Sequence, residues 1–88
     1  MPTTAMEKAL IEIRYDGPNP VTGSIEADET LEQKDLFPIL RRTPKDSAVT
    51  VAIAVPDNFP EEVKDHILTT SQGAVSHLCG RGSEVFIA

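Results

Sequence analysis

Cysteine, aromatic residues and positive charge are all scarce in this chain of 88 residues. Cys79 is the only cysteine, so no intramolecular disulfide can form, and an unpaired thiol is typical of a protein in a reducing compartment. Tryptophan is absent, and aromatic residues make up only 5% of the chain. Residues 1–88 are too few for two domains, so we expect a single small domain.

Long apolar runs and a basic, apolar leader are also missing. The longest apolar stretch is far shorter than the roughly 20 residues that a membrane-spanning helix needs. The first ten residues, "MPTTAMEKAL", have neither the basic start nor the apolar segment of a secretory signal. We therefore expect a soluble, cytoplasmic protein with no membrane contact.

Basic residues are outnumbered by acidic ones, 8 against 14, which gives a formal net charge of -6. A balance of this sign repels phosphate backbones, so direct binding to nucleic acid is not expected. It favours a partner protein with a basic surface, and a protein that itself binds nucleic acid is one such partner.

Two segments near the N-terminus alternate between apolar and polar residues. Residues 8–15, "KALIEIRY", place Ala9, Ile11, Ile13 and Tyr15 on one face, with Leu10 as the exception on the other. Residues 21–27 alternate in the same way after the turn sequence "DGPNP". This period of two predicts an antiparallel hairpin with one wet face.

The middle of the chain combines a helix start with a helix breaker. Thr30 and Gln33 have the spacing of a capping box, which predicts a helix from Leu31. Pro38 then disfavours helical geometry at Phe37, so we expect this helix to stop or kink near Leu36.

The second half of the chain predicts a strand, a long helix and a last strand. Residues 48–55 are apolar on both faces, which is typical of a strand inside a sheet. Asn58 and Glu61 form another capping-box pair, and an apolar stripe continues from Val63 towards Cys79. The sequence "SEVFIA" closes the chain as a strand.

Together these elements predict an α+β fold with a mixed four-stranded sheet and helices on one face. The order is ββαβαβ-like, with a short or broken first helix and a C-terminal βαβ unit whose two strands are parallel.

The stretch "VTVAIAVPDNFPEE", Val49 to Glu62, leads from a strand into a helix N-terminus, which is a common place for a bound phosphate. Here the turn has no glycine, Pro60 has no N–H, and Asp57, Glu61 and Glu62 already supply negative charge. This turn is therefore expected to repel anions and to attract positively charged groups.

Catalytic, cofactor and metal sites are not predicted. His66 and His77 share a helix face but lie about 16 Å apart along it, so one ion cannot reach both. Cys79 lies near a helix C-terminus, where the helix dipole disfavours a thiolate. We therefore expect a protein that is not an enzyme.

Two surfaces remain as candidates for binding a partner. The first is acidic and consists of Glu26, Asp28, Glu29, Glu32, Asp35, Asp57, Glu61, Glu62 and Asp65. The second is an anchor segment in which apolar residues adjoin arginines, namely Phe37, Ile39, Leu40, Arg41 and Arg42. Apolar anchors beside arginine often dominate the binding energy of an interface.

These features favour a small acidic interaction module that inhibits or regulates a partner by occupying its basic surface. In size and charge the chain resembles small inhibitors encoded by phages and mobile elements, anti-CRISPR proteins among them. One alternative is a ligand-binding or enzymatic domain with its site at the C-terminal ends of the parallel strands, near Asp57, Asn58 and Ala88. Another is a homo-oligomeric structural domain, such as a homodimer.

Overall fold

The computed structural model describes residues 8–88. Their elements follow in the order β1 Ala9–Tyr15, β2 Val21–Ala27, a 3-10 turn Gln33–Asp35, α1 Phe37–Leu40, β3 Thr50–Ala54, α2 Glu61–Leu78 and β4 Glu84–Ile87. The four strands form one sheet in the order β2-β1-β3-β4. β1 is antiparallel to β2 and β3, whereas β3 and β4 are parallel.

This architecture confirms the predicted α+β class with a mixed four-stranded sheet. β3 lies between β1 and β4, as its apolar character on both faces predicts. The strand covers Thr50–Ala54, which is shorter than the predicted range 48–55.

The core lies between one face of the sheet and the helical layer. Alternate residues of β1 and β3 point into it, including Ile11, Ile13 and Ile53. Leu36 and Ile67 close it from the other side. The opposite face of the sheet carries no helix among the described residues and stays open.

The predicted capping box of Thr30 and Gln33 is wrong. Thr30 instead donates both its N–H and its hydroxyl to Asp28 Oδ1, at 2.9 and 2.6 Å, which makes a turn of residues 28–30. The Asp35 carboxylate accepts the Glu32 N–H at 3.0 Å, so helical structure begins only at the 3-10 turn. Short polar side chains have here bonded to local backbone in a turn, which competes with helix formation.

The predicted cap of α2 by Asn58 is also wrong. The N-cap is Pro60, whose side chain makes no cap hydrogen bond, and Asn58 has a φ of 66°. Asparagine tolerates the left-handed region better than most residues, so Asn58 serves the turn before the helix instead of the helix itself. The helix ends at Leu78, close to the predicted end.

Ser71 on α2 provides a direct test of core packing. Its side chain is fully buried, and its hydroxyl has no hydrogen-bond partner within residues 8–88. Ser71→Ala is therefore expected to raise the free energy of unfolding by about 1 kcal/mol, because it removes an unpaired buried polar group. Denaturant unfolding of this variant beside Ser76→Ala, an exposed position on the same helix, checks the prediction. A loss of stability in Ser71→Ala alone would contradict it.

Candidate functional site

One end of the sheet gathers the carboxylates that the sequence places in separate segments. The register pairs Ala9 with Ala27 and Leu10 with Ala54, so β2 and β3 both finish at the end where β1 starts. α2 begins at Glu61, only a short loop after β3. We call this region the acidic end and define it by Glu26, Asp28, Glu29, Asp57, Glu61, Glu62 and Asp65.

A hydrogen bond between α2 and the segment after β2 holds the two halves of the acidic end together. The His66 Nε2 atom lies 2.9 Å from the Leu31 carbonyl oxygen. Leu31 itself is buried in the core, which fixes the position of the turn that precedes it. The carboxylates that follow β2 are therefore placed beside those of the first turns of α2.

Two lysines neutralise part of this charge. Lys64 Nζ lies 2.7 Å from Glu61, and Lys8 Nζ lies 3.8 Å from Asp28. Within residues 8–88, the other five carboxylates of the acidic end form no ion pair; they are Glu26, Glu29, Asp57, Glu62 and Asp65. All five are exposed, so the end carries a net negative charge that faces solvent.

Asp28 is the carboxylate of this end that is held most firmly. The hydrogen bonds from the Thr30 hydroxyl and the Thr30 N–H lower the pKa of Asp28 below its ordinary value, and Lys8 adds to the effect. A group with a lowered folded-state pKa stabilises the fold above its unfolded pKa. That contribution is lost as pH falls through the folded-state value.

Thr30→Ala is expected to move the pKa of Asp28 back towards the ordinary aspartate value of about 3.9. At neutral pH the variant therefore has a lower free energy of unfolding than the wild type. Below the folded-state pKa of Asp28 this difference disappears, because the carboxyl group is then protonated in both proteins. NMR titration of the Asp28 carboxyl carbon in the wild type and in Thr30→Ala measures the shift. An unchanged Asp28 titration in Thr30→Ala would contradict the assignment.

Glu32 and Asp35 belong to the predicted acidic surface but serve the 3-10 turn. Asp35 accepts the Glu32 N–H, and the Glu32 carboxylate lies 3.3 Å from Lys34. The Gln33 side chain between them lies over Gly73, in the middle of α2. These two carboxylates therefore flank the acidic end, and both interact with residues of their own 3-10 turn.

The apolar residues of the anchor segment pack against the protein's own core. Leu40 is only 1% exposed, so its prediction as a partner-binding anchor is wrong: the side chain is part of the core. Phe37 and Ile39 are half-buried and pack against the same core. The one turn of α1 directs these apolar residues inwards, which a proline-broken sequence does not reveal.

Arg41 also makes an internal contact. Its guanidinium carbon lies 5.1 Å from the centroid of the Phe37 ring, and the His77 ring stacks on Phe37 at 5.9 Å. His77 is in the last turn of α2, so Arg41 and its exposed neighbour Arg42 follow α1 near the end opposite to the acidic end. Arg81 follows α2 at that same opposite end. This end therefore carries the three arginines together with the carboxylates of Asp16, Asp46 and Glu84.

Two exposed apolar residues were not predicted from the sequence as candidate binding residues. Leu10 is 38% exposed and Phe86 is 42% exposed, and both lie on the open face of the sheet. The sequence does indicate the exposure of Leu10, because Leu10 is the one residue that breaks the alternation of β1. Phe86 alternates with Val85 and Ile87, which face the core side.

Two shallow grooves stand out among residues 8–88, and neither includes Asp57, Asn58 or Ala88. One, of about 440 Å³, lies on the open sheet face, and the other, of about 840 Å³, lies between the end of α2 and β4. Cys79 lines the second groove, and burial raises the pKa of its thiol, which disfavours the reactive thiolate.

Metal binding and membrane insertion find no support in the part of the chain that is described. In residues 8–88, no three His, Cys, Asp or Glu side chains come together in a way that could hold a metal ion. Over the same range, no helix combines the length and apolarity needed to cross a bilayer. Function must be inferred from the geometry alone, because the chain matches no family model and no curated protein or solved structure matches it significantly.

Proposed function

We propose that this protein is a non-enzymatic interaction module that binds a basic surface of a partner protein through its acidic end. The supporting observation is that three separate segments bring seven carboxylates to one end of the sheet, with two lysines paired to them. Glu61 and Glu62 also occupy the first turn of α2, where the helix dipole already offsets part of their charge.

The proposed mechanism is electrostatic steering followed by steric occupation. A patch of one charge sign speeds encounter with an oppositely charged surface by about 10 to 10³-fold at low salt. The positive side chains near the opposite end orient the protein, because they turn that end away from a basic partner. Once bound, the domain covers the partner's surface and excludes other anionic ligands, nucleic acid included.

The partner is best identified by affinity capture from the native host and then measured as a purified pair. Binding guided by charge is expected to weaken steeply as salt rises, since the Debye length falls from about 10 Å at 0.1 M to about 3 Å at 1 M. An affinity that does not change between about 50 and 500 mM salt would remove the electrostatic mechanism.

The interaction takes place in the cytoplasm under this proposal, because an unpaired thiol such as Cys79 is typical of a reducing compartment. An inhibitor of the kind encoded by phages or mobile elements would act in this way, and the proposal extends to that role.

A second candidate function is the binding of a small ligand in the groove between α2 and β4. The groove has about 840 Å³ and is lined by apolar Val75 and Val85 together with polar Ser76 and Arg81. Its volume is within the usual range of ligand sites. A thermal-shift screen of metabolites and nucleotides tests this candidate, and the absence of stabilisation across a broad panel would reject it.

A further inference from the structure

β4 is an edge strand, and half of its backbone groups point away from the sheet. The strand order leaves no further strand beyond β4 within residues 8–88. The N–H groups of Glu84 and Ala88 donate to backbone carbonyls on the β3 side, at 2.9 and 2.8 Å. Because these directions alternate along a strand, the N–H and C=O groups of Val85 and Ile87 point outwards.

The usual protections of a sheet edge are mostly missing at β4. Natural edges are often blocked by proline, lysine or a β-bulge. The sequence of β4, EVFI, has neither residue, and its register with β3 runs without a bulge. The strand is short and carries the charge of Glu84, which limits pairing to a few residues. Its outward N–H and C=O groups are therefore open to another extended chain.

The groove of about 840 Å³ lies beside this edge, between the end of α2 and β4. Val75 on α2 and Val85 on β4 give its lining an apolar part, and Ser76 is an exposed residue of the lining. Side chains of a strand alternate between the two faces of a sheet. A strand added to β4 would therefore place every second side chain at this groove.

Phe86 lies on the other face of the same edge and is 42% exposed. Its neighbour in β3 is the small Ala52, and on its other side it has no neighbouring strand among residues 8–88. A side chain opposite Phe86 on an added strand would cover the ring as a cross-strand pair. An added strand would thus gain contacts on both faces as well as along the backbone.

Backbone pairing, and not charge, selects the occupant of this edge. Arg81 and Glu84 both line the groove and have opposite signs. A second copy of the chain is disfavoured, since each copy has a formal net charge of -6 and two copies repel each other. Alternating N–H and C=O groups with side-chain sites on both faces are matched by an extended peptide.

We propose that β4 binds an extended segment of a partner protein as a fifth strand of the sheet, with alternate side chains of that segment in the groove between α2 and β4. The inference goes beyond the proposed function and does not rest on the acidic end. It assigns a peptide to the groove that the second candidate function gives to a small ligand.

The test begins with a peptide probe. Short random peptides displayed on phage are selected against the whole immobilised protein at about 1 M salt, where a Debye length of about 3 Å screens the acidic end. The most enriched peptide is synthesised and its affinity is measured. In the complex, hydrogen exchange is expected to slow at the amides of Val85 and Ile87, because both gain hydrogen bonds.

A backbone variant tests these hydrogen bonds directly. A synthetic segment of residues 79–88 is ligated at Cys79 to the rest of the chain, with the Val85 nitrogen methylated. The methyl group removes an outward donor and keeps every side chain and charge, so binding is expected to weaken at least about tenfold. The same ligation without the methyl group is the control and should bind as the wild type does.

Two substitutions on α2 test the groove. Ser76→Leu fills it from an exposed position and is expected to weaken binding about fivefold or more. Thr69→Leu places the same side chain on an exposed part of α2 outside the groove and should leave binding unchanged. Each variant is first checked for a folded spectrum, and hydrogen exchange of the wild-type complex decides the question if the methylated chain does not fold.

The absence of any enriched peptide would overturn the inference, and so would full affinity of the methylated protein for the selected peptide. A peptide weakened by Ser76→Leu but not by methylation would occupy the groove without strand pairing, which also overturns it. Sedimentation that shows dimers of the free protein, broken by methylation at Val85, would assign the edge to a second copy instead. All these results leave the acidic-end proposal standing, because selection at high salt does not depend on it.

Discussion

Replacing Leu40 with alanine is expected to lower the free energy of unfolding by about 2–5 kcal/mol. Leu40 is 1% exposed and lies in the same core cluster as Leu36 and Ile67, so truncation removes buried contacts and leaves a cavity. A domain of this length has a total stability of only about 4–13 kcal/mol. The melting temperature should therefore fall by at least about 8 °C.

Two further variants make the result decisive. Leu40→Met keeps the side-chain volume and should cost less than about 1.5 kcal/mol, so it reports on the same site if Leu40→Ala does not fold. Arg42→Ala changes an exposed neighbour and should stay within about 0.5 kcal/mol of wild type. Wild-type stability in Leu40→Ala would restore the interpretation of this segment as an exposed anchor.

Gly80→Ala is expected to lower the free energy of unfolding by about 2–4 kcal/mol, which is the second large effect. A Cβ atom at Gly80 would overlap the backbone carbonyl of Asp46, which cannot rotate away as a side chain does. Asp46 already has a φ of 63°, and the Gly80 N–H donates to the Ser47 carbonyl at 2.8 Å. The loop before β3 must therefore move and lose this hydrogen bond.

Gly73→Ala is the matched control, because it makes the same change within α2. The nearest atom to a Cβ there is the amide end of the exposed Gln33 side chain, which can move at little cost. We expect this variant to match or exceed wild type by up to about 1 kcal/mol, since alanine is the better helix former. Equal losses in the two variants, measured by urea unfolding, would contradict the close approach at Gly80.

Strong periodic patterns made much of the fold predictable. The alternation in residues 9–15 and 21–27 and the apolar stripe of α2 each follow from burial of one face, which tertiary structure preserves. The segment from Thr30 to Leu40 was harder, because its side chains bond to the local backbone and Pro38 interrupts any helical pattern. Whether Leu40 lies in the core depends on the angle at which one short turn meets the sheet.

The candidate site was predictable in its chemistry and less so in its geometry. Asp57, Glu61 and Glu62 stand out in the sequence, but their meeting with Asp28 and Glu29 follows from strand register and from the bond between His66 and Leu31. The rows of the open face likewise follow only from which strands are neighbours. Ala52 and Phe86 are 34 positions apart in the chain and adjacent in the sheet.

The most direct test of the account is a comparison of two variants with equal net charge. Asp57→Asn with Glu62→Gln removes two carboxylates from the acidic end, and Asp16→Asn with Asp46→Asn removes two from elsewhere, so both proteins change from -6 to -4. The association rate with the captured partner is measured for each at low salt. We predict a threefold to tenfold slower rate, roughly, for the acidic-end variant and a rate near wild type for the other. Equal rates for the two variants would contradict the claim that the acidic end is the binding surface.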